Sequence, residues 1–281
     1  MMLVRCLLVA PLLALLLYLP ASAPASADAR YPWIARVAPA DTLAQRIAVP
    51  PGFERVPAPA GSFGAWLRGL PMKPAGSPVH LFSGALKSNQ VAHAAVIDID
   101  VGTRDLQQCA DAIMRLRAEW LLAEGRAREI AFDYTGGGRV PFSRWAAGER
   151  PTETGKQWSH RAAPDASYAS FKRYMTAVFT QAGTYSLARE MVSVPAKDVA
   201  IGDVFIKGAF PGHAVLVADV ARHPATGETR FLLVQSFMPA QEIHVLHYPG
   251  SNDGTPWYRV PAGALITPEY LFPPDSLKRW R

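Results

Sequence analysis

From Gly202 onward the sequence is a run of short apolar segments, and that run limits the possible folds more than anything before it. Residues 203–207, 213–221, 229–237 and 242–248 are rich in Val, Ile, Leu and Phe. Turn residues separate them, first Phe210-Pro211-Gly212 and then His223-Pro224-Ala225-Thr226-Gly227. Segments this short and this closely linked pair with their neighbours, which predicts an antiparallel sheet in the last third of the chain.

The earlier sequence has helical periodicity instead. Gly61 to Leu70 places Phe63, Trp66, Leu67 and Leu70 at helical spacing behind a possible Ser62 cap, and Pro71, Pro74 and Pro78 end it. Val79 to Phe82 reads as a short strand and Ala92 to Val101 as the first clear one. Gly102-Thr103 then turns the chain into a helix reaching about Glu124, with Asp105 as its expected cap and Gln108 three residues on. Asp165 is placed to cap a second long helix to about Gln181, and Ser186 to Met191 adds a further turn or two. N-terminal helices followed by a C-terminal antiparallel sheet define an α+β class. No internal repeat, heptad array or Gly-rich phosphate loop interrupts that pattern.

The N-terminus has the features of an export signal. Arg5 precedes a nearly unbroken apolar run from Cys6 to Leu19, and Ala25-Ser26-Ala27 offers small residues for cleavage. The run is short against the roughly 20 residues of a membrane span, so no stable span is expected after cleavage; a retained N-terminal anchor is the alternative. Residues 1–27 are read as a signal peptide, 28–60 as an extended Pro- and Ala-rich arm, and 61–281 as one α+β domain of an exported, periplasmic protein. Losing residues 1–27 removes Arg5 and no acid, so the formal net charge falls from +6 to +5. The basic residues are scattered, with Lys278, Arg279 and Arg281 the one local cluster, which argues against nucleic acid as a partner.

Cleavage would also leave one cysteine, Cys109, and so exclude an intramolecular disulfide. A lone thiol in an oxidising compartment is expected to be buried or functional. As a nucleophile, Cys109 would sit in the first turns of its helix, where free N–H groups favour thiolate, and Gln107 or Gln108 could supply an amide to an oxyanion. As a core residue, it continues the stripe Leu106, Cys109, Ile113, Leu116, Trp120. Asp111 with Arg115, and Arg115 with Glu119, have the spacing of ordinary surface pairs.

His213 follows a Pro-Gly turn and opens a strand, which puts it at a sheet edge as a possible base, or as a histidine satisfied by backbone. If Ala221 faces Thr229, His213 opposes Phe237 and lies diagonal to Gln235 on one face; a one-residue slip brings Ser236 there instead. Asp98 and Asp100 share a strand face, either as a carboxylate pair or as a wetted strand end. His244 and His247 lie three apart without the spacing of a zinc site, so no metal or other cofactor is expected. Trp145, Trp158 and Trp257 could stack on sugar rings or pin loops to the core.

The stretch from Gly61 to the C-terminus resembles the uncharacterised family known as domain of unknown function 4846, found mainly in exported bacterial proteins. The residues that carry the resemblance are Gly61-Ser62-Phe63, the segments from Ala94 to Gly102 and from Asp105 to Ala112, and Gly202-Asp203-Val204-Phe205-Ile206. Pro211-Gly212-His213-Ala214-Val215, Gln235-Ser236, the segment from Met238 to Gln241, and Pro256-Trp257-Tyr258 complete it. That resemblance implies no established activity. The last third is more loosely similar to papain-like and NlpC/P60-type hydrolases, which implies a papain-like arrangement with Cys109 as nucleophile, His213 as base and Gln235 as orienting residue. No Cys-Trp signature surrounds the thiol, and Gln stands where papain has Asn.

Two functional expectations result. The first is a cysteine hydrolase acting on an amide or ester in cell-wall peptides or lipid-linked acyl groups, with Gln108 helping to bind the oxyanion. The second is a non-catalytic envelope module on a similar scaffold, either holding a glycan or peptide with aromatic loops or serving as an interaction protein whose Cys109 fills the core.

Overall fold

The computed structural model describes residues 30–34, 41–252 and 254–281. The signal-peptide reading of residues 1–27 lies outside them. Among the described residues no helix is long and apolar enough to cross a membrane.

The strand-rich last third builds the centre of a nine-stranded antiparallel sheet. In chain order its members are β1 (Glu54–Arg55), β2 (His93–Val96), β3 (Met191–Ser193), β4 (Val204–Lys207), β5 (His213–Arg222), β6 (Thr229–Gln235), β7 (His244–Leu246), β8 (Tyr258–Arg259) and β9 (Leu277–Trp280). The spatial order is β2-β7-β6-β5-β4-β9-β3, with β1 added beside β5 and β8 beside β6. The α+β class is therefore as expected, but helices and sheet are not strictly separated along the chain. Part of the 28–60 arm is itself sheet, since Glu54 and Arg55 pair with Arg222 and Ala221.

Six helices lie between residues 43 and 190: α1 (Leu43–Arg46), α2 (Phe63–Arg68), α3 (Cys109–Ala123), α4 (Phe142–Ala146), α5 (Tyr168–Gln181) and α6 (Thr184–Glu190). Alternation along β5 sends its side chains to two cores. Ala214, Leu216 and Ala218 face the helices and pack with Ile113, Leu116 and Val178. Val215 and Val217 face the opposite side, where Phe231, Tyr258 and the hairpin of Leu265–Ile266 with Leu271–Phe272 cover them. A sheet buried on both faces reads as continuous apolar residues rather than strict alternation, as the segment Ala214-Val215-Leu216-Val217-Ala218 does.

α3 is the central helix, and its polar residues are not the surface pairs that their spacing suggests. Arg115 is 2% and Glu119 0% exposed. The Arg115 guanidinium bonds Asp100 Oδ1 at 2.7 Å, the Asp100 carbonyl, Gln107 Oε1 at 2.7 Å and Glu119 at 3.4 Å. Tyr168 on α5 donates to the same Glu119 oxygen at 2.8 Å. A buried guanidinium needs this many acceptors, because desolvation without them would cost several kcal/mol. Asp111 takes no part in that pairing.

Candidate functional site

Cys109 is the first residue of α3. The helix starts later than expected, because Leu106 and Gln108 donate their N–H groups two residues back, to the carbonyls of Arg104 and Leu106, in tight non-helical turns. Gln108 takes the N-cap position, and its N–H donates to the Asp111 carboxylate at 3.1 Å. Asp105, the expected cap, instead joins two loops: its Oδ1 accepts from the Gln108 side-chain amide at 3.0 Å and from the Ala240 N–H at 2.7 Å.

The thiol is enclosed, with Cys109 5% exposed, yet the residue lines an open cleft of about 270 Å³ shared with Gln108, Asp111, Phe210, Gly212 and Met238. Burial, and after it the charge of Asp111, push the thiol up to about 11, against the opposing pull of backbone N–H groups of Cys109, Ala110 and Ala214. Ala214 directly follows His213. The sulfur thus meets β5 at the amide beside the histidine.

His213 is fully buried at the start of β5, on the strand face turned away from the helices. The register expected from the sequence holds here. Val234 opposes Leu216, which places Phe237 across from His213 and Gln235 on its diagonal. Their ring centroids lie 4.7 Å apart, and His213 Nε2 is 2.9 Å from Gln235 Oε1. Nearer the turn a bulge at Leu232/Leu233 moves the pairing by one residue, so Arg222 rather than Ala221 faces Thr229. Ser236, the alternative partner, points elsewhere and ties the cysteine loop to the sheet by bonding the Gln107 and Gln241 carbonyls.

The hydrogen-bond network behind Gln235 fixes where its protons lie. Glu269 is an acceptor with no proton to give, and its Oε2 is 2.8 Å from Gln235 Nε2, so that atom is the amide NH₂. Lys87 and Asn89 complete the Glu269 carboxylate. His244 Nδ1 donates to the Glu242 carbonyl at 2.8 Å, which leaves its Nε2 to accept from Gln235 at 3.3 Å. Gln235 Oε1 must then accept from His213 Nε2–H. The proton-free nitrogen of His213 is Nδ1, which is buried and has no partner. Burial brings this imidazole down to about 4 despite Gln235 and Glu269, so near neutral pH it is an uncharged base.

The structure thus joins His213 to Gln235 but makes no hydrogen bond between Cys109 and His213. Of the two only Cys109 lines the cleft, and Tyr270 relates to both. Tyr270 packs against the His213 ring at 4.9 Å and lies close enough to Cys109 for thiolate charge to raise its phenol, after the larger effect of burial. Phe272 stacks on the imidazole at 5.6 Å and touches the Tyr270 ring at 4.8 Å, so the three rings form one cluster.

Other residues singled out in the sequence have structural roles. Partial burial would raise Asp100, but Arg115 and Lys172 hold it down to about 2. Trp257 is buried and donates to the Ala48 carbonyl at 2.7 Å. Arg150 covers Trp145 at 4.0 Å and Arg144 covers Trp158 at 4.3 Å, and none of the three tryptophans lines the cleft. The residues that sequence reasoning missed are Lys87, His244, Glu269 and Tyr270. His244 was visible only as a neighbour of His247, and the others carry no periodic or motif signal.

A two-face-covered antiparallel sheet, with a cysteine starting its central helix and a histidine–glutamine pair at one sheet end, defines the architectural class. Within that class the chain belongs to the DUF4846 family, described as a domain of unknown function, whose model matches residues 43–279. No curated protein and no solved structure matches the chain. Membership brings no activity with it, and the looser likeness to papain-like hydrolases finds no support in these comparisons.

Proposed function

We propose that this protein is an exported, papain-like cysteine hydrolase that cleaves an amide or ester of the cell envelope, a cell-wall peptide or a lipid-linked acyl group. The observation that carries this reading is the free Nδ1 lone pair of His213, set by the Glu269–Gln235 network, one residue before Ala214, whose backbone N–H favours the thiolate of Cys109, the only thiol among the described residues.

The chemistry runs from a neutral pair, since burial disfavours both thiolate and imidazolium. Cys109 Sγ attacks the carbonyl carbon as its proton passes to His213 Nδ1, and the carbonyl oxygen becomes an oxyanion. Gln108 has a second amide hydrogen beyond the one given to Asp105 and can donate it to that oxyanion. Collapse breaks the bond to the leaving oxygen or nitrogen, which takes the proton from His213. Water, activated by the same nitrogen, then cleaves the thioester and regenerates the thiol. Catalytic hydrogen bonds of this kind are often unmade in a resting site and tighten with substrate bound.

A second reading is supported by the 5% exposure of Cys109 and its raised thiol: a binding module in which the sulfur only fills space. Labelling with a neutral electrophile at pH 7 separates the two. The hydrolase reading expects native Cys109 to be modified, His213→Ala to slow that modification, and the same variant to lose about 10²–10⁴-fold in turnover of an ester substrate. Modification only after denaturation sinks it and leaves the binding module.

A further inference from the structure

We propose that the acyl part of the substrate is an apolar chain seated between Phe210 and Met238; this rests on the hydrolase reading and names the substrate class of the same cleft. Phe210 is 77% and Met238 43% exposed. Scattered exposed apolar residues are ordinary, but these two come from different loops, one before β5 and one after β6, and both line the cleft that contains Cys109. Leu106, Phe179, Ala182 and Pro211 continue the apolar lining. Beyond the mouth, the Tyr185 ring lies 6.1 Å from Phe210 and extends the apolar surface outward.

Charge argues the same way. Among the described residues the cleft lining contains two acids, Asp105 and Asp111, and no lysine or arginine. A phosphate or free carboxylate near the scissile carbonyl would find no counter-charge there. The cleft, at about 270 Å³, falls just below the ~300–1,000 Å³ of pockets that enclose a whole drug-sized ligand. It suits the methylenes next to the carbonyl, with the rest of the chain lying over Phe210 towards Tyr185.

The test is a series of p-nitrophenyl esters, from acetyl to dodecanoyl, given to the purified protein, to Phe210→Ser and to Met238→Ser. A parallel arm measures binding of unreactive decanamide to Cys109→Ala. The expected result is a kcat/KM that climbs by up to about three- to four-fold per methylene over the carbons the cleft covers, then levels. Each serine variant lowers the decanoyl-to-acetyl ratio, and Phe210→Ser weakens decanamide binding in the Cys109→Ala background. Phe210 is mostly in solvent, so its replacement leaves the fold intact, and Met238→Ser is an independent check. Cys109-dependent acetyl cleavage with no climb overturns the apolar-chain proposal and leaves the hydrolase standing. A preference for peptides bearing apolar side chains over straight acyl chains also overturns it. With no Cys109-dependent cleavage of any ester, the hydrolase reading falls and decanamide decides: Phe210-dependent binding keeps the apolar-chain site, and no binding removes it.

Discussion

Gln235 illustrates how much one amide can determine. Glu269 can only accept, so it turns the Gln235 NH₂ towards itself and the carbonyl oxygen towards His213. Gln235→Leu removes the acceptor that keeps the His213 proton on Nε2, so either ring nitrogen can carry it. Under the proposed hydrolase reading, in which His213 is the base, loss of tautomer control is expected to drop kcat/KM on an ester substrate at least about 10²-fold, while circular dichroism stays native-like. The imidazoles also set an acid limit on the fold. Burial lowers His213 to about 4 and His244 to about 3, both below the ordinary 6.5. The unfolded chain therefore takes up protons from about pH 6.5 downward while the folded rings stay neutral, and stability falls with pH until the folded values are reached. From pH 7 to pH 5 the loss is about 2 kcal/mol per ring. Urea unfolding at the two pH values checks this: on going from pH 7 to pH 5, His244→Asn is expected to lose about 2 kcal/mol less than the unaltered chain.

At the level of elements, the loop between β4 and β5 and the start of α6 determine where His213 begins its strand. A Cβ on Gly212 would collide with Thr184 Oγ1 and with the carbonyls of Lys207 and Ala209. Two of those three are backbone, so the loop itself must move. Gly212→Ala is expected to cost about 1–3 kcal/mol and, under the proposed hydrolase reading, to reduce turnover more than Phe210→Ser does with an acetyl ester, because it displaces the proposed base. Melting temperature and kcat/KM measured on the same preparations separate the two effects. The central helix has a comparable dependence. Arg115 reaches back from the second turn of α3 to hold Asp100 and Gln107, and so secures the loop that delivers Cys109. Arg115→Met leaves the buried Glu119 without its cation and is expected to cost about 3–5 kcal/mol in urea unfolding.

Over the whole molecule, distant segments converge on one buried acid. Asp219, on β5, is fully enclosed and receives Arg55 Nε from β1 at 2.6 Å and Arg68 Nε from α2 at 2.7 Å. Asp219→Ala would strip two partly buried guanidiniums of their carboxylate, an expected loss of about 3–5 kcal/mol visible as a lower urea midpoint. These long-range ties mark where the sequence stops being readable. The strands from 203 to 248 were legible from their apolar runs and the turns between them, and so was the diagonal of Gln235 against His213, though only because a bulge offsets an assumed turn pairing that is one residue out. The bulge near Leu232 was not, since nothing in composition distinguishes it. The spacing of Arg115 and Glu119 looks the same on a surface helix and on a buried one, and only the layers above and below α3 decide between them. Lys87 and Glu269 are far apart in the chain and meet only once a hairpin has closed over the sheet.

That hairpin carries a consequence for the order of events during synthesis. A chain made as far as β8 already contains the sulfur, the imidazole and the amide, yet it lacks Glu269 to orient the amide and Tyr270 and Phe272 to enclose the ring. Under the proposed hydrolase reading, the imidazole would therefore lack its tautomer control until the 265–272 hairpin had folded over the sheet, and thiol reactivity would report that closure.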